Sequence, residues 1–151
     1  MADVTLTTGA DGVEITRVFA ASRAGLFACW TTPRLFAVWF GGSGVEVDEV
    51  VMDVVEGGAW AARMMLSDGT VIPWRGHFVE IVSPRRLALT LADRDAAEGE
   101  AVVVTFDEVD AGTSMTMTQR GGNVDEAQYE AIGQGWLGFF DAMAQLVEAP
   151  A

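Results

Sequence analysis

Residues 124–147 read VDEAQYEAIGQGWLGFFDAMAQLV, and this stretch decides the fold. Tyr129, Ile132, Trp136, Phe139, Met143 and Leu146 recur at alternating steps of three and four, which puts them on one stripe of an α-helix. Phe140 and Val147 widen the stripe, while Asp125, Glu126, Glu130, Asp141 and Glu148 supply a solvated face. Asn123 is the expected N-cap, with Glu126 three residues on as its capping-box partner. Gly133, Gly135 and Gly138 stand out, because each costs roughly 1 kcal/mol against Ala inside a helix. They have two readings: close packing of the helix backbone on a neighbour, or space left beside Trp136 for a ligand.

A helix with this much aromatic surface needs a broad apolar partner, and the upstream chain supplies it as strands. Residues 3–8 read as a short edge strand, followed by a turn at Gly9, Asp11 and Gly12. In the strand Val13 to Ala20, Val13, Ile15 and, past Arg17, Phe19 share a face. Ser22 caps a helix through Leu26, Phe27 and Trp30; Thr32-Pro33 then starts a second, carrying Leu35, Phe36, Trp39 and Phe40. Gly41, Gly42 and Gly44 end it. From there the period becomes two. Val45, Val47, Glu49 and Val51 form one face of a strand; Trp60, Ala62 and Met64 form another, with Arg63 opposite. Ser67-Asp68-Gly69 is a hairpin turn, and Thr70 to Val82 a long strand in which Pro73 marks an edge or a bulge. Leu87, Leu89 and Leu91 point inward, residues 93–100 form a polar loop, and Val102, Val104, Phe106, Met115 and Met117 point inward again. Clean alternation on consecutive hairpins argues for an antiparallel sheet with one face buried.

The expected fold class is therefore α+β, a single domain over residues 1–151. Two short helices follow the first good strand. A curved antiparallel sheet of about six or seven strands then wraps a long C-terminal helix.

Composition narrows the function. The chain carries a net charge of −13, with nine basic residues, all Arg. Such a chain cannot build the basic surface that nucleic acid or an anionic membrane requires, so neither is expected as a partner. No apolar run nears the ~20 residues of a membrane span. The N-terminus lacks the basic and apolar regions of a signal peptide. The one cysteine, Cys29, excludes an intramolecular disulfide. A cytoplasmic setting is expected, and a homodimer is compatible with the sequence.

The ordered set Arg17-Val18-Phe19, Ala21, Phe27, Trp30-Thr31, Pro33, Trp39, Asp53, Gly57-Gly58, Trp60, Asp68-Gly69, Gly76, Glu80-Ile81, Pro84, Leu87, Gly112-Thr113 and Gly135-Trp136 resembles the SRPBCC, or START-like, superfamily. Within it the chain is similar to bacterial proteins related to the C-terminal domain of the Hsp90 ATPase activator. The resemblance implies a helix-grip fold and a hydrophobic cavity between sheet and helix. Ser22 stands where the family often has Pro, and Val55 where it often has Arg. Nothing here matches the tryptophan- and asparagine-rich motif carried by the separate N-terminal domain of the eukaryotic activator, so the resemblance does not imply Hsp90 activation.

Residues suited to chemistry are few. His77 is the only histidine and lies in a strand run, where an ordinary structural role is expected. Cys29 sits beside Trp30 among apolar residues and reads as a small buried side chain. The absence of Lys excludes Schiff-base chemistry. No spacing suggests a metal site, and no cofactor is expected. Arg63 and Arg75 are expected to pair with acidic residues across the sheet, with binding of a ligand carboxylate at the cavity mouth as the alternative.

The aromatic and methionine set carries the functional expectation. Trp39, Phe40, Trp60, Ala62, Met64, Trp74, Met115, Met117, Trp136 and Phe139 are the expected cavity residues, with Arg75, His77 and Glu80 as candidate polar groups. Met and small residues beside Trp suit an adaptable apolar pocket. These residues favour a non-enzymatic domain enclosing a small apolar molecule. The alternatives are an enzyme similar to polyketide cyclases and aromatases, and a protein-interaction module of the co-chaperone kind.

Overall fold

The computed structural model describes residues 4–9, 12–42, 45–92, 101–120 and 125–148. Asn123, the 93–100 loop, Asp11 and the second half of the 41–44 loop lie outside the described residues.

The elements run β1 (Val4–Thr8), β2 (Gly12–Phe19), α1 (Arg23–Thr31), α2 (Pro33–Trp39), β3 (Glu46–Met52), β4 (Ala59–Met65), β5 (Val71–Val82), β6 (Arg86–Leu89), β7 (Val102–Val109), β8 (Gly112–Arg120) and α3 (Glu126–Val147). Among the described residues the strands form one eight-stranded antiparallel sheet, ordered β1-β2-β8-β7-β6-β5-β4-β3. The sheet has more strands than the six or seven expected, with β1 paired along its whole length to β2. The α1–α2 excursion is what lets β2 pair with the last strand, β8, rather than with β3. Helix α3 packs against β1, β2 and both short helices. This is the helix-grip arrangement.

The helix caps follow local chemistry. Ser22 Oγ accepts from the Gly25 N–H at 3.0 Å. At α3 the cap is Asp125 rather than Asn123. Its Oδ1 accepts from the Gln128 N–H at 2.9 Å, and Gln128 Oε1 accepts from the Asp125 N–H at 3.0 Å. The box shifts because the helix begins at Glu126, which puts Gln128 at the third helical position.

Alternation predicts most of the inner face correctly. Trp60, Ala62 and Met64 are buried, as are Val102, Val104, Phe106, Met115 and Met117. Strand β3 departs from it. A bulge between Asp48 and Val51, with Glu49 at φ 51°, breaks the register against β4. Val47 stays inside, while Val51 turns out to solvent and Val50 and Met52 pack on the core instead. On β5 the inward face is Trp74, Gly76 and Phe78. The first half of that strand pairs with β4 and the second with β6.

The core centres on rings. Trp30 of α1 lies 4.7 Å from Trp39 of α2 and stacks 6.0 Å from Trp136 of α3. Phe36 lies 5.5 Å from Trp60 of β4. Offset and edge-to-face pairs of this kind add to the burial of the rings themselves, so α1, α2, α3 and the sheet close on one aromatic cluster.

Candidate functional site

Helix α3 buries a stripe slightly rotated from the one its sequence suggests. Tyr129, Gly133, Trp136, Phe140 and Met143 are the buried line, still at steps of four and three. Ile132 and Phe139 sit on its edge, half-buried. That edge borders a pocket of about 260 Å³ lined by Phe40, Trp74, Leu91, Gln119, Ile132, Gly135, Trp136 and Phe139. Ile132, Gly135, Trp136 and Phe139 recur at the i, i+3, i+4, i+7 spacing of one helical face. The opposite wall comes from the end of α2, the inward side of β5, the residue Leu91 beyond β6, and β8.

The glycines divide between the two readings. A Cβ at Gly133 would come within 2.8 Å of Leu6 and 3.0 Å of Val13, so this glycine serves close packing on β1 and β2. A Cβ at Gly135 would meet nothing within 4 Å. Gly135 is exposed and lies in the pocket wall, with open space where a side chain would begin.

Four rings frame the pocket. Phe40 lies 5.7 Å from Trp74 and 5.4 Å from Phe139, and Trp136 lies 5.3 Å from Phe139. Trp136 is held by a hydrogen bond from its Nε1 to Gln119 Oε1 at 2.7 Å. Among the described residues the buried indole N–H of Trp74 has no hydrogen-bond partner. A second hollow of about 230 Å³, near the ends of β1, β2 and β8, is lined by Thr7, Gly9, Gly12, Val13, Glu14, Thr118 and Arg120. Its wall mixes turn glycines with opposite charges and lacks the aromatic frame.

Of the ten expected cavity residues, Phe40, Trp74, Trp136 and Phe139 line the pocket. Trp39, Trp60, Ala62, Met64, Met115 and Met117 are buried elsewhere in the core. Two are fixed there by hydrogen bonds: Trp39 Nε1 donates to the Cys29 carbonyl at 2.8 Å, and Trp60 Nε1 to the Thr90 carbonyl at 2.9 Å. Alternation identifies the face of a strand but not how deep along it a residue lies.

The candidate polar groups do not reach the pocket. Arg75 and His77 alternate with Trp74, Gly76 and Phe78 and therefore point to the outer face, where both are exposed. Glu80 falls beside a bulge between Phe78 and Glu80, and its Oε1 accepts from Arg86 Nε at 2.5 Å on the surface. Arg63 pairs with Asp48 and Glu49, and the guanidinium holds the Asp48 carboxyl below its usual range. Burial pushes the Cys29 thiol up to about 11, which suits a packing role rather than a nucleophile.

Leu91, Gln119, Ile132 and Gly135 complete the wall. Leu91 and Ile132 already belonged to the apolar patterns. Gln119 did carry a signal: extending the Met115, Met117 alternation by one step puts a polar residue on the inner face. Arg17 is a similar case, a charged residue within the buried face of β2.

A sheet wrapped on a long helix, with an apolar pocket at the helix edge, defines a helix-grip domain. The model of the family described as Activator of Hsp90 ATPase homolog 1-like protein matches residues 20–148, and the chain belongs to that family. Solved structures agree in fold. A Chromobacterium violaceum protein superposes with a TM-score of 0.83 at 22% identity, over 93% of this chain and 99% of its own. A Staphylococcus epidermidis protein gives 0.81 at 17% identity, over 95% and 93%. An AHSA1 protein from Silicibacter pomeroyi gives 0.76 at 20% identity, over 87% and 93%. No curated protein matches the chain in sequence. Among the described residues no helix is long and apolar enough to cross a membrane.

Proposed function

We propose that this domain binds a small, largely apolar molecule in the pocket between the edge of α3 and the sheet, without transforming it. The observation that carries this reading is the composition of the wall. Of the eight described lining residues, seven are apolar, aromatic or glycine, and the eighth is Gln119. Pockets of this kind, mostly apolar with a few placed polar groups, are the usual form of small-molecule sites. Among the described residues the wall offers no side chain suited to proton transfer, and the groups that would serve a cyclase-like reaction sit on the outer face of β5. The single buried thiol suits a cytoplasmic setting.

The test is a titration of the full chain with tetralin, followed by the tryptophan indole N–H signals in NMR. Saturable one-to-one shifts at Trp74 and Trp136 are expected. Gly135→Leu, at a site where an added Cβ meets nothing within 4 Å, is expected to fill the pocket mouth and abolish the shifts while leaving the fold intact. Absence of saturable binding, or equal binding in the variant, overturns the reading.

A further inference from the structure

Resting on that binding reading, we propose that the pocket selects an uncharged compound of one or two fused rings with a hydrogen-bond acceptor, and that Gln119 selects it. Size comes first. An apolar cavity of about 150 Å³ takes benzene, so the 260 Å³ here has room for a second fused ring. Four aromatic rings in the wall favour a flat occupant through offset and edge contacts.

The hydrogen-bonding character of the wall follows from one contact. An indole N–H can only donate. The bond at 2.7 Å from Trp136 Nε1 therefore requires the oxygen of the Gln119 amide, and leaves its NH₂ group to donate. The group left over in the wall is a donor. A ligand that meets it brings an acceptor, such as a ketone or an ether oxygen. A cationic ligand would set donor against donor. An anionic one would lose its hydration with no cationic side chain among the described residues of the wall, inside a chain of charge −13.

The experiment compares four ligands of one shape on the full chain: tetralin, α-tetralone, protonated aminotetralin and tetralin carboxylate. The ketone should bind roughly 5- to 10-fold more tightly than tetralin, the gain of one added hydrogen bond. Both charged compounds should bind more weakly than tetralin. Gln119→Glu retains an acceptor for Trp136 but has no amide donors. It should abolish the ketone's advantage and improve binding of the ammonium compound. If the glutamate variant does not fold, Gln119→Met carries the same expectation for the ketone. Equal affinity for tetralin and ketone in the wild type overturns the selection, as does a ketone advantage that survives the substitution or a preference for the carboxylate. In each of those cases tetralin still binds and the pocket reading stands; failure of all four ligands overturns the pocket reading itself.

Discussion

Arg17 Nη1 donates to Asp141 Oδ1 at 2.6 Å, and the two partners sit in different surroundings: the Arg17 side chain is 9% exposed and that of Asp141 66%. The guanidinium lies within the buried face of β2, 5.2 Å from the centre of the Phe19 ring, and its Nε has no partner among the described residues. It ties β2 to α3 at the level of the core. Removing the acid leaves a buried charge without its counter-ion, which is costlier than removing the charge itself. Asp141→Ala is expected to cost about 1–3 kcal/mol, reduced from the fully buried case by the exposure of the carboxylate. Arg17→Met is expected to cost less. Denaturant midpoints for the two variants check the order; the reverse order would mean that the arginine contributes through its charge.

The three glycines of α3 should respond differently to alanine. Gly135→Ala and Gly138→Ala meet open space and should each stabilise the chain by roughly 1 kcal/mol through helix propensity. Gly133→Ala pushes on Leu6 and Val13, and should lose that gain or destabilise. Thermal unfolding of the three variants separates the classes. A uniform response would mean that packing against β1 and β2 does not distinguish Gly133.

Ala62 is one of the cavity residues expected from sequence. In the structure it is 4% exposed and absent from the pocket wall. Ala62→Phe is therefore expected to overpack the core, costing about 1–3 kcal/mol, and not to act as a plug for the pocket. Ala61→Phe, on the exposed side of the same strand, is the control and should stay within about 0.5 kcal/mol of wild type. An Ala62→Phe variant with unchanged stability and blocked tetralin binding would restore the sequence reading.

Cys29 supplies a pH dependence with a definite sign. Burial lifts its thiol from 9.0 to about 11, so the folded state holds a proton that the unfolded state releases first. Stability should therefore fall as pH rises from 9 to 11, with a slope of at most about 1.4 kcal/mol per unit from this group. Cys29→Ala should show a shallower decline over the same range. Identical profiles would remove the thiol from the alkaline transition.

Much of the architecture is legible in one dimension. The Trp136 stripe at steps of three and four specifies a long amphipathic helix, and the period-two runs at Trp60–Met64, Val102–Phe106 and Met115–Met117 specify strands with one buried face. Both signals are local, because side-chain direction in a helix or a strand repeats with the backbone. Turn and cap chemistry at Ser22, Pro33 and Asp68-Gly69 is local for the same reason. The bulge at Glu49 was not legible, since register depends on the partner strand. The pocket lay further out of reach. Whether Trp60 or Trp74 borders open space depends on how α3 crosses the sheet, and the same inward face supplies a solid core at one and a pocket wall at the other. The amide of Gln119 acquires its orientation only from an indole 17 positions away. Periodicity determined which faces turn inward; the long-range packing of α3 decided where those faces meet and where they leave a gap.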